Sequence, residues 1–380
     1  MPYFSFSINE NIPTLKKFHI TENEVYFSKN TQLWKLLNKI NISNLNKLKQ
    51  EKRHKVKKIG KKILFCLPPN IGLGDAIEYA SAIKIITEQL SFYTIAVAFS
   101  ENYTFIFENF FKITNTYPFV IKKTELDKFE TIFHLTLEIK SLANQKYFRS
   151  NIVDNTIEYF KIKKLQKNYI QTKLESKVNK ISIFPLSNSP IRTMNSEILN
   201  SLINLLKKDY NIEIFLDNNS PISNYLLSHI KTENISIIDP VSVFELVYYI
   251  KEIEYGIFMD SGPLHAAKMF NKRGVLLETS VSKNILLKDY TLIKGINNSF
   301  SSLFCTAPCG LTDIFNHNNN YGCYDSIKME SKKFKNNNFV NMINRGVKNH
   351  YLENFKNPVG CVFSLNVQNI YNTVRKDLSL

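Results

Sequence analysis

Short apolar runs and amphipathic stretches alternate along most of this chain. Residues 63–67 (ILFCL) are an unbroken apolar run, which suits a strand buried on both faces. Beyond Asp75 the period changes. Tyr79, Ile83, Ile86 and Leu90 recur at spacings of four, three and four, one face of a helix. Residues 93–99 read as the next strand, 117–121 and 131–135 as two more, and 140–177 as helical. The second half repeats the theme, with strands at 181–184, 212–216, 235–238, 255–259 and 275–277. Helices at 196–208, 222–230, 243–251 and 264–270 lie between them. Strands alternating with helices predict parallel sheets covered on both faces. Ligands of such open sheets bind outside the carboxyl ends of the strands.

The pattern divides the chain. Residues 1–60 read as an N-terminal basic extension, with apolar positions at Trp34, Leu36, Leu37 and Ile40 and a basic run, KLKQEKRHKVKKIGKK, at 47–62. Residues 61–178 form a first Rossmann-like domain and 179–335 a second. Residues 336–380 are an Asn-rich C-terminal segment that ends in a helix over 367–378.

Composition adds limits. The 380 residues, 44% hydrophobic, suffice for two domains with cores. Net charge is +16, from 49 basic and 33 acidic residues. A Lys-rich coding bias gives such a surface, and so does selection for anionic partners: nucleotide diphosphates, an acidic glycolipid or a membrane face. The basic run lacks the aromatic interleaving used to stack bases, so nucleic acid is not an expected partner. No run of about 18 apolar residues predicts a membrane-spanning helix. The opening MPYFSFSINENIP has no basic stretch followed by an apolar core, so it does not read as a secretory signal. Five cysteines, an odd number, do not suggest a disulfide framework. The expected location is cytoplasmic, with peripheral contact at the inner membrane face through the basic surface.

Three polar turns follow predicted strands. Gly72, Gly74 and Asp75 follow the first, where Asp75 can cap the next helix and the glycines make the turn or let a ligand approach. The loop SNSPIRT, 187–193, follows the strand at 181–184 and carries Ser187, Ser189 and Arg192. A guanidinium binds phosphate oxygens in bidentate fashion, whereas a single surface arginine is ordinary. FMDSGPLHAA, 258–267, leaves a strand and opens a helix. Asp260 can accept hydrogen bonds from sugar hydroxyls, and Ser261 can cap. Gly262 allows close approach, and His265 lies one turn on. A helix start of this kind suits a phosphate. The same residues can also serve as turn, cap and packed histidine only. No G-K-[ST] follows the first glycines, so they are not a Walker loop.

Three segments in this order resemble glycosyltransferase family 9, the ADP-heptose:lipopolysaccharide heptosyltransferase family. DSGPLHAA is similar to its D-[ST]-G-x-x-H-x-A signature. KILFCLPPNIGLGDAIEYASAIKIITEQL, 62–90, resembles its opening strand, Gly-Asp turn and first helix. ISIFPLSNSPIRTMNSEILNSLINLL, 181–206, resembles the strand that opens its second half. The resemblance covers roughly residues 61–330. It implies an α/β, GT-B-like architecture, with two Rossmann-type parallel-sheet domains facing a cleft and a final helix crossing back to the first domain. It implies an inverting transfer of a sugar from a nucleotide-diphosphate donor to a glycan or glycolipid acceptor. Asp75 would be the general base and Arg192 the contact to the donor phosphates, with Asp260, Ser261, Gly262 and His265 lining the donor pocket; Ser187 could add a hydroxyl to it, and Gly72 and Gly74 would meet the acceptor or simply form the loop. A nucleotide-sugar epimerase of the same architecture is an alternative. So is a non-catalytic basic protein that binds anionic glycan or nucleic acid.

One departure stands out. Family members usually carry a Gly-Pro-Thr turn after the strand at 275–277, and this chain has Glu278, Thr279 and Ser280. A carboxylate beside a diphosphate would be unfavourable, which leaves the donor open. No Asp-x-Asp pair occurs, so no metal cofactor is expected on the diphosphate. Cys305, Cys309 and Cys323, with His317, have no standard zinc spacing and read as free thiols.

Overall fold

The computed structural model describes residues 4–8, 24–28, 31–40, 60–68, 71–135, 151–160, 178–231, 233–302, 305–311 and 358–378, with shorter stretches between 12 and 47 and between 316 and 356. It divides into two compact units, Met1–Lys146 with Ile152–Lys164, and Tyr147–Asn151 with Leu165–Leu380.

The first unit holds eight strands among its described residues: β1 (Phe4–Ser7), β2 (Val25–Ser28), β3 (Asn46–Lys47), β4 (Lys62–Cys66), β5 (Thr94–Phe99), β6 (Thr116–Pro118), β7 (Val120–Lys122) and β8 (Thr131–His134). Four of them form a parallel sheet in the order β6-β5-β4-β8. The apolar run at β4 occupies the middle, with Leu64 and Phe65 fully buried. The helix Leu73–Gln89 crosses from β4 to β5 and buries Tyr79, Ile83 and Ile86, as the sequence spacing requires. It packs against the helix Ile152–Tyr159, whose Ile152 N–H donates to Glu78 Oε2 at 3.0 Å. The remainder of the helical expectation over 140–177 lies largely outside the described residues.

Residues 1–60 are more than an extension. β1, β2 and β3 form an antiparallel sheet in the order β3-β1-β2-β7, so the N-terminal segment shares an edge with a strand of the unit. Phe6, Ile8, Leu15, Tyr26, Leu33 and Leu37 make its core, with Trp34, Leu36 and Ile40 packed against it. Its strands are too short for alternation to announce them. Residues 48–59 of the basic run lie outside the described residues. The run at 117–121 is likewise not one strand. It breaks at Phe119 between two sheets, beside Pro118, which has no N–H for a ladder.

In the second unit β9 (Lys180–Phe184), β10 (Asn211–Phe215), β11 (Ile235–Ile238), β12 (Tyr255–Phe258), β13 (Gly274–Leu277) and β14 (Ile293–Ile296) form a wholly parallel sheet, ordered β11-β10-β9-β12-β13-β14. Numbered within the sheet by chain position this is 3-2-1-4-5-6, the doubly wound order of a Rossmann-type unit. The first unit follows the same rule over four strands, 3-2-1-4. The expected pair of Rossmann-type parallel-sheet units is therefore present in the chain. β14, an IKGI segment, has too short an apolar pattern to be read from the sequence.

The second core runs under this sheet through Ile181, Ile183, Leu199, Leu202, Leu206, Ile214, Ile257 and Val275. Gly256 and Gly274 are needed for contact. A Cβ on Gly256 would lie 2.0 Å from the Phe258 ring, and one on Gly274 would lie 2.1 Å from the Gly256 carbonyl oxygen. The final helix, Val367–Leu378, joins this core. It packs on the helix Ser196–Leu206 and on β13 and β14 of its own unit, burying Ile370 and Val374. Asp377 fixes its end: the Tyr255 hydroxyl donates to Asp377 Oδ2 at 3.1 Å, and Arg273 Nη2 donates to the Asp377 carbonyl at 2.7 Å.

Candidate functional site

In a 3-2-1-4 sheet the chain reverses direction between strands 1 and 4, and the crevice at their carboxyl ends is where ligands bind. In the second unit that switch point falls between β9 and β12. The register sets Phe184, Phe258 and Leu276 on one rung, so the loops after β9, β12 and β13 leave the sheet side by side.

The β9 loop is folded by its own polar atoms. Thr193 Oγ1 donates to the carbonyls of Ser189, at 2.9 Å, and Ser187, at 3.3 Å, and accepts from the Ser187 N–H at 3.1 Å. Pro190 opens a short 3-10 turn that ends at Arg192. Across the switch point Arg192 Nη1 donates to the Asp260 carbonyl at 2.9 Å and to Asp260 Oδ2 at 3.2 Å. The two side chains are only 17% and 8% exposed. Removing one member of a pair this buried costs about 3–5 kcal/mol, because the other charge stays behind. Asp260 thus fixes where the guanidinium stands.

The helix Gly262–Met269 starts immediately after this pair, with Ser261 as its N-cap residue. The Ser261 hydroxyl turns back to the Met259 carbonyl at 3.4 Å and makes no cap hydrogen bond. Pro263 has no N–H to leave unsatisfied in the first turn. His265 is buried within this helix. The structure therefore gathers Ser187, Arg192, Asp260, Ser261 and Gly262 at one end of one sheet, with His265 a turn further into the helix.

Glu278 resolves the departure seen in the sequence. Its Oε2 accepts from the Lys283 N–H at 2.7 Å and its Oε1 from the Asn298 N–H at 3.2 Å. Asn298 Nδ2 in turn donates to the Glu278 carbonyl at 3.0 Å. The carboxylate braces a loop rather than facing an anion. Thr193 closes the SNSPIRT loop that the sequence singles out, whereas Asn298 lies in no such motif.

In the first unit the Gly-Asp turn follows β4, at the β4–β8 switch point. Asp75 does not cap from outside the helix. Gly72 is the N-cap residue, and Asp75, in the third helical position, accepts the Gly72 N–H at 3.2 Å through Oδ2. Gly74 lies between them in the first turn, and Asp75 is half-buried. Tyr103 donates to the Ile71 carbonyl at 3.0 Å and so ties down the same turn. Burial, then the Asp75 charge, raises the Tyr103 phenol above its ordinary pKa. Burial, then Asp75 and Glu78, does the same to Tyr79. Sequence reading missed Tyr103, which comes from the segment after β5.

All five cysteines are unbridged thiols. Burial raises the pKa of the Cys361 thiol, and the nearby Cys323, Cys309 and Cys305 add to the effect. The structure thus adds Cys361, from the C-terminal segment, to the three read from the sequence. The side chain of His317 lies outside the described residues. Among the described residues no group of three or more His, Cys, Asp or Glu side chains could hold a metal ion. None of their helices is long and apolar enough to cross a membrane.

Comparison with protein-family models and with curated proteins finds no match. Solved structures with a similar fold do exist. The iron-containing dodecameric glycosyltransferase TibC from enterotoxigenic E. coli is 13% identical, over 93% of this chain and 82% of that one, with a TM-score of 0.49. E. coli ADP-heptose LPS heptosyltransferase II is 14% identical, over 62% and 90% of the two chains, with a TM-score of 0.46. E. coli heptosyltransferase WaaC is 8% identical, over 62% and 93%, with a TM-score of 0.45.

Proposed function

We propose that this chain is a glycosyltransferase that moves a sugar from a nucleotide-diphosphate donor to a hydroxyl of a bacterial surface glycan or lipid-linked precursor. The observation that carries this reading is the Arg192–Asp260 pair, set across the switch point of a doubly wound sheet beside a helix start. In glycosyl transfer the nucleoside diphosphate departs as an anion. A fixed guanidinium and the positive end of a helix meet that charge without rearranging. Those protein groups take the place of a divalent cation, in keeping with the absence of an Asp-x-Asp pair.

Asp75 is the base in this reading. It would take the acceptor hydroxyl's proton as the oxygen attacks the anomeric carbon from the face opposite the leaving group, with inversion. The Gly72 N–H and the Tyr103 contact to Ile71 hold its turn in place. Gly72 and Gly74 would lie on the acceptor side, and Ser187, Ser261, Gly262 and His265 on the donor side. The motif resemblance makes an ADP-linked heptose the first donor to try. The basic surface would favour an anionic acceptor or the inner membrane face, which fits a cytoplasmic enzyme with peripheral contact.

The test is release of nucleoside diphosphate from a panel of nucleotide sugars, with and without glycan acceptors, in the presence of EDTA. Acceptor-dependent release that survives EDTA is expected. An isomerised nucleotide sugar formed without acceptor would make the protein an epimerase. Salt-dependent binding of polyanions with no affinity for nucleotides would make it a binding protein.

A further inference from the structure

Two hydroxyls at the carboxyl end of β13 take no part in the bonds that build the fold. Thr279 and Ser280 are each 1% exposed. Neither Thr279 Oγ1 nor Ser280 Oγ has a hydrogen-bond partner, and Ser187 Oγ, after β9, is in the same condition. Buried hydroxyls normally find partners, because desolvation without a replacement bond is unfavourable.

Slackness of the loop does not explain them. Both Glu278 carboxylate oxygens and the Glu278 carbonyl are bonded to Lys283 and Asn298. The Ser280 carbonyl accepts from the Gly310 N–H at 2.7 Å, and Gly310 has a φ of 83°, a conformation that favours glycine. The backbone is locked on both sides of two unused hydroxyls. Such groups call for a partner that the fold itself does not supply.

Position says what they would bind. Neighbouring strands lie about 4.8 Å apart, so the β13 loop is one strand from Asp260 and about 10 Å from the Ser187–Arg192 loop. A nucleoside diphosphate reaches across that distance, and a lone phosphate does not. The loop's one carboxylate is already taken by backbone amides, so nothing in the loop repels an anion.

Resting on the reading of this sheet end as the donor site, we propose that the Thr279 and Ser280 hydroxyls bind the diphosphate oxygens of the donor. They complete a row of contacts that begins at Arg192.

Thr279→Val and Ser280→Ala test this, singly and together, by calorimetric titration with ADP, UDP and GDP and by melting of the free protein. Removing an unpartnered hydroxyl should leave the free protein's Tm unchanged or higher. The Kd of whichever diphosphate the wild type binds should rise about tenfold or more per hydroxyl, the scale of a hydrogen bond to a charged group. Wild-type Kd in both variants overturns the assignment and leaves the donor site standing, provided Arg192→Ala still weakens binding. So does a loss confined to nucleotide sugars, which would move the contact to the sugar. A wild type with no affinity for any of the three diphosphates removes the donor-site reading and this assignment with it.

Discussion

The two parallel sheets share a topology and differ in what stands at their switch points. Both run 3-2-1-4 around their first strand. Beside β4 stands Asp75, with an N–H from Gly72 and two phenols, Tyr79 and Tyr103, that feel its charge. Beside β9 there are a fixed guanidinium, its carboxylate partner, a helix start and buried hydroxyls. Topology settles where a ligand sits, and side chains settle which ligand. In the proposed reading the first end would move a proton and the second would hold an anion.

The division breaks most visibly at Asp75. Asparagine can accept the Gly72 N–H as aspartate does, so Asp75→Asn should stay folded and keep its donor affinity. It cannot take a proton, and general-base catalysis is worth about 10²–10⁴ in rate. Turnover should fall on that scale. Near-normal turnover with the true acceptor would reduce Asp75 to a brace of its helix start.

A smaller effect sharpens the boundary of the second unit. Ile370 is fully buried on the final helix, in the core beneath β13. Ile370→Ala should cost about 2–5 kcal/mol in denaturant unfolding. A loss under about 0.5 kcal/mol, the size of an ordinary surface change, would mean that the helix does not belong to that core. Smaller again is Tyr255→Phe. It removes the bond to Asp377 but leaves Arg273 as that carboxylate's partner, at 3.4 Å. A loss of about 1 kcal/mol is expected, and several kcal/mol would mean that the Arg273 contact does not hold without the phenol.

The second unit was the more legible of the two. Strands buried on both faces read as continuous apolar runs, so 181–184 and 255–259 fall within a residue of β9 and β12. The placement of its candidate residues was legible too, because Ser187, Arg192 and Asp260 sit in polar loops directly after those runs. The antiparallel sheet was hidden. Its β1 and β2 have four residues each, β3 has two, and the edge partner β7 comes from far along the chain. The Asp75 turn was found but misread by one helical turn, since Gly72 takes the N-cap position and sequence cannot separate an N-cap aspartate from one in the third position. The final helix was legible over 367–378. Its Ile370 and Val374 face was visible, but nothing in the sequence names the surface that face covers.

The measurement that bears most directly on the central claim, that the β9–β12 switch point holds the donor's diphosphate, is calorimetric titration of nucleoside diphosphates into the wild type, Arg192→Ala and Asp75→Asn. Binding to the wild type should weaken by roughly 1.5–3 kcal/mol in Arg192→Ala, the scale of a lost bond to a charged group, and stay unchanged in Asp75→Asn. Equal affinity in the wild type and Arg192→Ala, or a loss seen only in Asp75→Asn, would contradict it.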